Sequence, residues 1–236
     1  MRVRYVFALG PSLLALSSCM TDFTTKPGGT VGLDTWSAIR HATRTAPQMD
    51  FHQAWEKTPT FAKGYVKVVR EENGLLVYAH LDDTEIYNDN TTFNAPFFME
   101  GDVFEIFIRP EGQEAYFELH IGPQNQQMQL KIESSKKFYE KRKTYPPVEE
   151  LIGPYRIEQP RFQSRTRVKD GTWEVAARLP YRFLSSGVDV NAKTLLHVNF
   201  SRYDYTKGAE EPVYSATANL SKLDFHHQAD WDRLIP

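Results

Sequence analysis

Carboxylate and ring side chains recur at every second position in two short segments in the middle of the chain. Glu105 lies in DVFEIFIRP, and Tyr116, Glu118 and His120 alternate in AYFELHIG. Because alternate residues of a β-strand share one face, these side chains could line a ligand-binding groove or a solvated sheet face. Two carboxylates that face each other could also supply the acid and the base of a glycosidase.

The carboxylate of Glu105 also has a structural explanation. Its predicted face is shared with Val103 and Phe107, and an unpaired carboxylate buried between them would be costly. Arg202, in the segment NFSRY, is the partner that we expect on a neighbouring strand. A structural ion pair between Glu105 and Arg202 therefore stands beside the ligand-binding interpretation.

The sequence contains no further signature of catalysis. There is no nucleophile elbow around a serine, no H-E-x-x-H segment, no phosphate-binding glycine loop and no cysteine–histidine pair. We therefore expect a protein that is not an enzyme. The formal net charge is −2, and nothing in it indicates nucleic acid as a partner. The densest basic run, KKFYEKRK at residues 136–143, is predicted to be a solvated loop.

Segments rich in β-forming residues make up most of the chain after residue 60. Two of them, GYVKVVR and LLVYAHLDD, flank Asn73-Gly74, a strong hairpin signal because both residues tolerate positive φ. DVFEIFIRP, AYFELHIG, MQLKI, TWEVAARLP and LLHVNFSRYDY continue the series, and helical periodicity is confined to residues 36–45 and 181–184. This spacing predicts an all-β fold, an antiparallel β-sandwich of the immunoglobulin or jelly-roll kind, in one domain over residues 36–236.

Residues 1–18 have the composition of a secretory signal peptide. Arg2 and Arg4 precede an apolar run to Leu16, which is shorter than the roughly 18 to 20 residues needed to span a bilayer. The end of the run, LSSC, resembles the lipobox of bacterial lipoproteins, in which the cysteine is lipidated. Cys19 is the only cysteine, so we predict a lipid anchor there, with an ordinary cleaved signal as the alternative.

The residues that follow Cys19 favour a location in the bacterial cell envelope. Residues 20–35 are polar and rich in threonine and glycine, which predicts a flexible tether between the lipid and the domain. Met20 stands where an aspartate often retains lipoproteins at the inner membrane. Its presence favours the outer membrane, on the periplasmic side or at the surface.

The order of the β segments resembles that of the family 9 carbohydrate-binding modules. The shared features, over residues 50–236, begin with a tryptophan after an acidic residue, a hairpin that ends in aspartate, and a D-x-x-E-I-F strand. They continue with YFELHI, WEVAARLP, NFSR and a closing F-H-x-x-x-x-W-x-R-L segment. The resemblance implies a non-catalytic β-sandwich that binds a mono-, oligo- or polysaccharide, as a module that supports polysaccharide degradation.

The resemblance also implies which residues hold the sugar. In the family, two tryptophans enclose a terminal sugar ring, and the glutamate of the D-x-x-E strand, here Glu105, bonds to its hydroxyl groups. The tryptophan positions fall near Met99 and on Phe225, and Phe97 or Phe98 could supply the ring that Met99 lacks. An aromatic residue just before a strand is, however, more often part of the core.

Polar contacts to the sugar are expected from the neighbouring strands. Glu118 stands where the family has an arginine, and Tyr116 and His120 share its face. We therefore predict hydrogen bonds from Glu105, Glu118 and Arg202 to the sugar hydroxyls. The alternative function is a lipid-anchored scaffold that keeps the fold and binds a partner protein instead of a sugar.

Acidic residues near the end of the predicted hairpin are a candidate metal site. Asp82, Asp83 and Glu85 lie close together in the sequence, and Asp102 follows a loop. Relatives in the family bind calcium for structural reasons, so calcium at Asp82, Asp83 and Asp102 is the alternative to the expected absence of a cofactor. His226-His227 is predicted to lie in a turn and to form no metal site.

Overall fold

The computed structural model describes residues 20–25 and 32–236 of the chain. The predicted signal peptide at residues 1–18, Cys19, and residues 26–31 of the predicted tether lie outside this part. Every helix within it is too short or too polar to cross a membrane. Because Cys19 is outside the described residues, the lipid anchor stays a prediction.

The described residues form twelve strands, four α-helices and three 3₁₀-helices. Up to residue 132 the elements are β1 (Asp22–Thr24), α1 (Trp36–Thr43), β2 (Gln48–Asp50), β3 (Gly64–Arg70), β4 (Gly74–Asp82), β5 (Val103–Pro110), β6 (Tyr116–Ile121) and β7 (Gln127–Ile132). After it come α2 (Ser135–Arg142), α3 (Val148–Ile152), β8 (Gln163–Lys169), β9 (Thr172–Pro180), α4 (Tyr181–Leu184), β10 (Leu196–Asp204), β11 (Val213–Ala216) and β12 (Asp232–Ile235). The 3₁₀-helices are Phe97–Met99, Gly153–Tyr155 and Gln228–Asp230.

The strands form two sheets that pack face to face. The larger sheet has the order β1-β12-β10-β5-β6-β7, with β11 paired to β10, and the smaller sheet has the order β2-β3-β4-β9-β8. All the strand pairs within the described residues are antiparallel except β1 with β12. Apolar residues at alternating positions, such as Ile106 of β5 and Val77 of β4, fill the space between the sheets. The predicted antiparallel β-sandwich is confirmed.

The outer face of the larger sheet is also covered. A second apolar cluster includes Phe107, Tyr116 and Leu130 of the sheet, together with Phe138 of α2 and Trp231 near the C-terminus. Side chains that share this face therefore lie beneath a layer of packed residues and not in open solvent.

Helix α1 covers part of the outer face of the smaller sheet. Its Trp36 and Ile39 pack against Tyr78 of β4. Glu174 of β9 accepts hydrogen bonds from the Tyr78 hydroxyl over 2.7 Å and from the Arg40 guanidinium over 3.0 Å. Both apolar and charged contacts thus hold this helix on the sheet.

Residues 22–24 of the predicted tether form a strand instead. β1 pairs with β12, with Phe23 opposite Leu234, and the Phe23 ring packs against the core between the sheets. The Arg70 guanidinium also donates to the Thr25 hydroxyl over 2.6 Å. The flexible-tether prediction is wrong for these residues, because one ring and one buried hydrogen bond hold a segment whose composition is otherwise polar.

The basic run at residues 136–143 is mostly helical and not a loop. Its helix, α2, buries Phe138, which is only 2% exposed, while Lys136 stays in solvent. Arg142 at the end of the helix pairs with Asp224 over 3.0 Å. The prediction of a solvated loop is wrong because one buried ring and one ion pair fix the helix to the domain.

The hairpin predicted at Asn73-Gly74 is confirmed, but the glycine serves another purpose. The Glu71 N–H donates to the Gly74 carbonyl oxygen over 2.8 Å, so the loop residues are Glu72 and Asn73, and none of these four has a positive φ. A Cβ atom on Gly74 would lie 2.4 Å from the carbonyl oxygen of Leu179. The absence of a side chain therefore allows two backbones to approach closely.

Candidate functional site

Glu105, Tyr116, Glu118 and His120 share one face of the larger sheet, as their spacing predicts. Glu105 of β5 lies directly opposite His120 of β6, and Tyr116 and Glu118 occupy the alternate positions before it. The face is covered, since Glu105 is 1% exposed, Glu118 6% and His120 1%. Together with His226 from the C-terminal segment, these four residues form what we call the polar cluster.

Short contacts around His120 hold the polar cluster together. His120 Nε2 lies 3.0 Å from Glu105 Oε1 and 2.7 Å from Glu118 Oε1. The Tyr116 hydroxyl lies 2.8 Å from His226 Nδ1. Glu118 Oε2 accepts no hydrogen bond from the described residues and lies 3.8 Å from His226 Nδ1. The cluster thus contains one buried carboxylate oxygen, Glu118 Oε2, without a hydrogen bond from the described residues.

Burial and mutual charge set the protonation of the polar cluster. Burial raises the pKa of Glu105 to about 7. Burial also disfavours the charged form of His120, but the two carboxylates outweigh it and raise the pKa of this imidazole. For Glu118, the effect of burial is outweighed by His226 and His120, so the pKa of this carboxyl is lowered. The contacts within the cluster therefore favour the ionised form of Glu118 and the protonated form of His120.

Arg202 does not join the polar cluster. It lies opposite Phe104 in the sheet, so its side chain is on the other face from Glu105. Its guanidinium donates to Asp83 Oδ2 and to the Asp82 carbonyl oxygen, each over 2.7 Å. The predicted ion pair with Glu105 is wrong. Successive side chains of a strand point to opposite faces, and Arg202 is one residue away from Ser201, the residue opposite Glu105. Arg202 is also not placed to contact a ligand beside Glu105.

The acidic residues around Arg202 are assembled differently from the predicted calcium set. Carboxylate oxygens of Asp83, Asp102 and Asp204 lie within 4.8 Å of one another, whereas the side chain of Asp82 is 52% exposed and outside this group. The Arg202 guanidinium lies 2.7 Å from Asp83 and 3.3 Å from Asp204. Because an arginine already supplies positive charge to these carboxylates, we propose no calcium site here.

The aromatic residues predicted to hold a sugar differ in their accessibility. Phe97 is fully buried, with its ring 6.2 Å from that of His120, so it belongs to the core. Phe98 is half-buried and meets the His120 ring edge-on at 5.3 Å, and Met99 beside it is 37% exposed. Phe225 is only 6% exposed, so the rings around it cover most of its faces.

Four half-buried rings form what we call the aromatic surface, and three of them lie around Phe225: Trp55, Tyr203, Tyr214 and, beside Tyr203, Phe98. The ring centres of Trp55, Tyr203 and Tyr214 lie 6.2, 5.9 and 6.1 Å from that of Phe225. Phe98 adjoins Tyr203, with 6.1 Å between the ring centres. The four rings therefore form one continuous patch, and Phe98 connects it to the polar cluster.

Hydrogen-bonding groups border the aromatic surface. The Tyr205 hydroxyl donates to the Phe98 carbonyl oxygen over 3.0 Å, and Arg142 of α2 pairs with Asp224 over 3.0 Å. Burial raises the pKa of Tyr203 well above its ordinary value, an effect that the charge of Arg142 opposes only in part. The Tyr203 phenol is therefore neutral. Rings bordered by phenol, guanidinium and carboxylate groups can stack on one face of a ligand and bond to its hydroxyls.

Sequence reasoning missed most of the aromatic surface. Tyr203 follows Ser201 at period two on β10 and lies opposite Tyr214 of β11, so the alternation in NFSRYDY was a usable signal for it. Trp55 lies outside the strands and helices, where no periodicity could place it. His226, predicted only as part of a turn, joins the polar cluster through Tyr116.

Residues 29–231 match the family model described as carbohydrate family 9 binding domain-like. This range includes every residue of the polar cluster and of the aromatic surface. No curated protein matches the chain.

Solved structures share the fold at low sequence identity. A proposed carbohydrate-binding protein from Bacteroides uniformis is 11% identical, with a TM-score of 0.66 over 91% of this chain and 98% of that chain. A family 9 carbohydrate-binding module from Caldicellulosiruptor kristjanssonii in complex with cellotriose is 12% identical, with a TM-score of 0.58 over 91% of this chain and 92% of that chain. A complex of such a module from the same organism with glucose is 11% identical, with a TM-score of 0.58 over 91% and 95%. At these identities the likeness shows the fold alone.

Proposed function

Since the chain belongs to the carbohydrate family 9 binding domain-like family, we propose that it binds a carbohydrate and catalyses no reaction. The observation that carries the proposal is the aromatic surface, which lies on the outer face of the larger sheet beside hydrogen-bonding groups. A pyranose has an apolar C–H face that stacks on an aromatic ring, and hydroxyl groups that need donors and acceptors. The aromatic surface and its border offer both.

In this proposal, Glu105 supports the site from below and does not touch the sugar. Its carboxylate is held between the Ser201 hydroxyl, at 2.6 Å, and His120 Nε2, at 3.0 Å. Only 1% of its surface is exposed, so the residues packed over it separate it from a ligand on the aromatic surface. We place the sugar on Trp55 and Phe98, while Glu105 fixes β5 beneath them.

The geometry of the two carboxylates supports a non-catalytic role. Glu105 and Glu118 contact the same nitrogen of His120, at 3.0 and 2.7 Å, so this ring fills the space between them. In glycosidases the two carboxyl groups are about 5 to 10 Å apart and the scissile bond lies between them. A buried pair closed by an imidazole leaves no room for that bond.

Glucose and cellotriose are the first ligands to test, because structures of the same fold are complexes with them. We further propose that Cys19 is lipidated and holds the domain at the bacterial cell envelope, on the periplasmic side or at the surface of the outer membrane. There the domain would keep saccharides near enzymes that degrade polysaccharides. The support for this location is the LSSC segment after the apolar run.

A glycan array followed by calorimetric titration of residues 20–236 tests the proposed function. We expect binding to one class of glycan, and Trp55→Ala and Phe98→Ala should each weaken it by about tenfold, because a stacked ring contributes roughly 1.5 kcal/mol. Tyr65→Ala is the matched control, since Tyr65 is a half-buried ring on the smaller sheet. A folded domain that binds no glycan, or that loses binding only with Tyr65→Ala, contradicts the proposal.

A further inference from the structure

The polar cluster holds two carboxylates that its hydrogen bonds do not saturate. Glu105 and Glu118 both contact one nitrogen of His120, which has a single proton to donate at that position. Glu118 is 6% exposed, and its Oε2 accepts no hydrogen bond from any residue that the structure describes. Buried carboxylate oxygens are ordinarily hydrogen-bonded or bound to a cation, so the Glu118 carboxylate retains bonding capacity that a cation could use.

We propose that Glu105, Glu118 and His120 bind a divalent transition-metal ion, with Zn²⁺ as the best match. One possible ligand atom from each residue lies within 4.8 Å of the other two. His120 Nε2 is 3.0 Å from Glu105 Oε1 and 2.7 Å from Glu118 Oε1. In a tetrahedral zinc site with bonds of about 2.0 to 2.1 Å, the ligand atoms are roughly 3.3 Å apart. The two distances from His120 Nε2, 3.0 and 2.7 Å, are close to that spacing.

The donor set and its charge select this class of ion. Ca²⁺ and Mg²⁺ prefer oxygen ligands alone, whereas a combination of imidazole nitrogen and carboxylate oxygen suits zinc and its neighbours. Two carboxylates and one neutral imidazole also balance a charge of 2+. Because Glu105 and His120 are each 1% exposed, this balance avoids a net charge in a part of the protein that solvent hardly reaches.

Neighbouring residues hold the proposed ligands in position. The Ser201 hydroxyl donates to Glu105 Oε2 over 2.6 Å, which leaves Oε1 directed at His120. His226 Nδ1 lies 3.8 Å from the free oxygen of Glu118, and the Tyr116 hydroxyl fixes that ring at 2.8 Å. Outer contacts of this kind orient metal ligands and set their affinity.

Calorimetric titration of chelator-treated protein with ZnCl₂ tests this inference. We expect one ion per chain and a higher Tm, because an ion that binds only the folded state stabilises it. Glu118→Gln keeps the shape of the side chain and should weaken Zn²⁺ binding by about tenfold or more. The matched control is His197→Gln, since His197 is 8% exposed in the same sheet and contacts Glu111 over 2.5 Å. This control should leave the Zn²⁺ affinity unchanged.

A second readout needs no variant. On addition of Zn²⁺, the NMR signals of the His120 ring should shift in the wild-type protein, and Co²⁺ should give the visible absorption of a tetrahedral site. A folded protein that binds neither ion, binding that leaves the His120 signals in place, or an unchanged affinity in Glu118→Gln would overturn the proposal. Trp55→Ala separates it from carbohydrate binding, because this variant should retain the Zn²⁺ affinity.

Discussion

Ser201 is the partner of Glu105: its hydroxyl donates a hydrogen bond to Oε2 over 2.6 Å. The next residue, Arg202, points to the opposite face of the sheet and pairs there with Asp83 over 2.7 Å. A hydroxyl and an imidazole therefore surround the glutamate, and no guanidinium lies beside it within the described residues. Both carboxylate oxygens of Glu105 are therefore engaged by side chains of the same sheet.

The ion pair between Arg202 and Asp83 is buried, with side-chain exposures of 1% and 4%. Arg202→Met should lower the free energy of unfolding by about 3 to 5 kcal/mol, because it leaves a buried carboxylate without its cation. Urea denaturation measures the loss. Arg233→Met is the control, since its pair with Asp22 has side-chain exposures of 37% and 49% and should contribute less than about 1 kcal/mol. Equal losses in the two variants would contradict this account.

Glu174 holds α1 on the smaller sheet. It accepts a hydrogen bond from Tyr78 over 2.7 Å and pairs with Arg40 and Arg167. Glu174→Gln should destabilise the protein by about 1 to 3 kcal/mol and speed amide hydrogen exchange in α1 first. Glu133→Gln, at a side chain that is 64% exposed, should leave exchange in α1 as it is. Unchanged exchange in both variants would show that apolar packing alone holds the helix.

Gly74 allows β4 to approach the end of β9. Gly74→Ala would place a Cβ atom 2.4 Å from the Leu179 carbonyl oxygen, and the backbone shift that relieves this contact should cost about 1 to 3 kcal/mol. Thermal and urea denaturation measure it. Gly153→Ala is the matched control, because its Cβ would meet no atom within 4 Å and its φ is −48°. A loss of stability in the control as large as in Gly74→Ala would refute the packing argument.

Asp232 makes stability depend on pH. It is 1% exposed, and burial raises its pKa from 3.8 to about 7. The folded state therefore holds this proton more tightly than the unfolded chain, so the contribution of Asp232 to stability is greatest below about pH 4 and falls as the pH rises to about 7. Asp232→Asn should remove this decrease in stability with rising pH. Urea denaturation across this range should show the variant gaining stability relative to the wild type, and a constant difference would exclude the effect.

Strand alternation was enough to predict one face of the site. Glu105, Glu118 and His120 occur at the spacing that puts them together, and the structure does so. Whether that face is open depends on what packs over it, and the covering rings include Phe138 of α2 and Trp231 near the C-terminus, both outside the strands that carry the site. Local patterns do not contain this long-range information, so the alternation alone does not show whether these side chains are open to a sugar.

Turn residues in the sequence mark the positions of hairpins, but they do not show what each glycine does in the structure. Asn73-Gly74 correctly marked one hairpin, although Gly74 serves the packing against Leu179. Asp170-Gly171 links β8 to β9 with φ values of 52° and 70°, the conformation that an Asp-Gly pair favours in a hairpin. The Asp-Gly pair is therefore a sequence signal for this second hairpin. The strand β1 had no such signal, because its ordering depends on pairing with the opposite end of the chain.

The central claim, that a carbohydrate binds on the aromatic surface, is tested most directly by NMR mapping of a bound glycan. The protein would be titrated with glucose and cellotriose, and with any ligand that the array identifies. We predict that the Trp55 indole N–H signal and the ring signals of Phe98 and Tyr203 shift and saturate with the ligand. Binding that shifts only Tyr65 and His80 on the smaller sheet, or the absence of saturable binding, would contradict the claim.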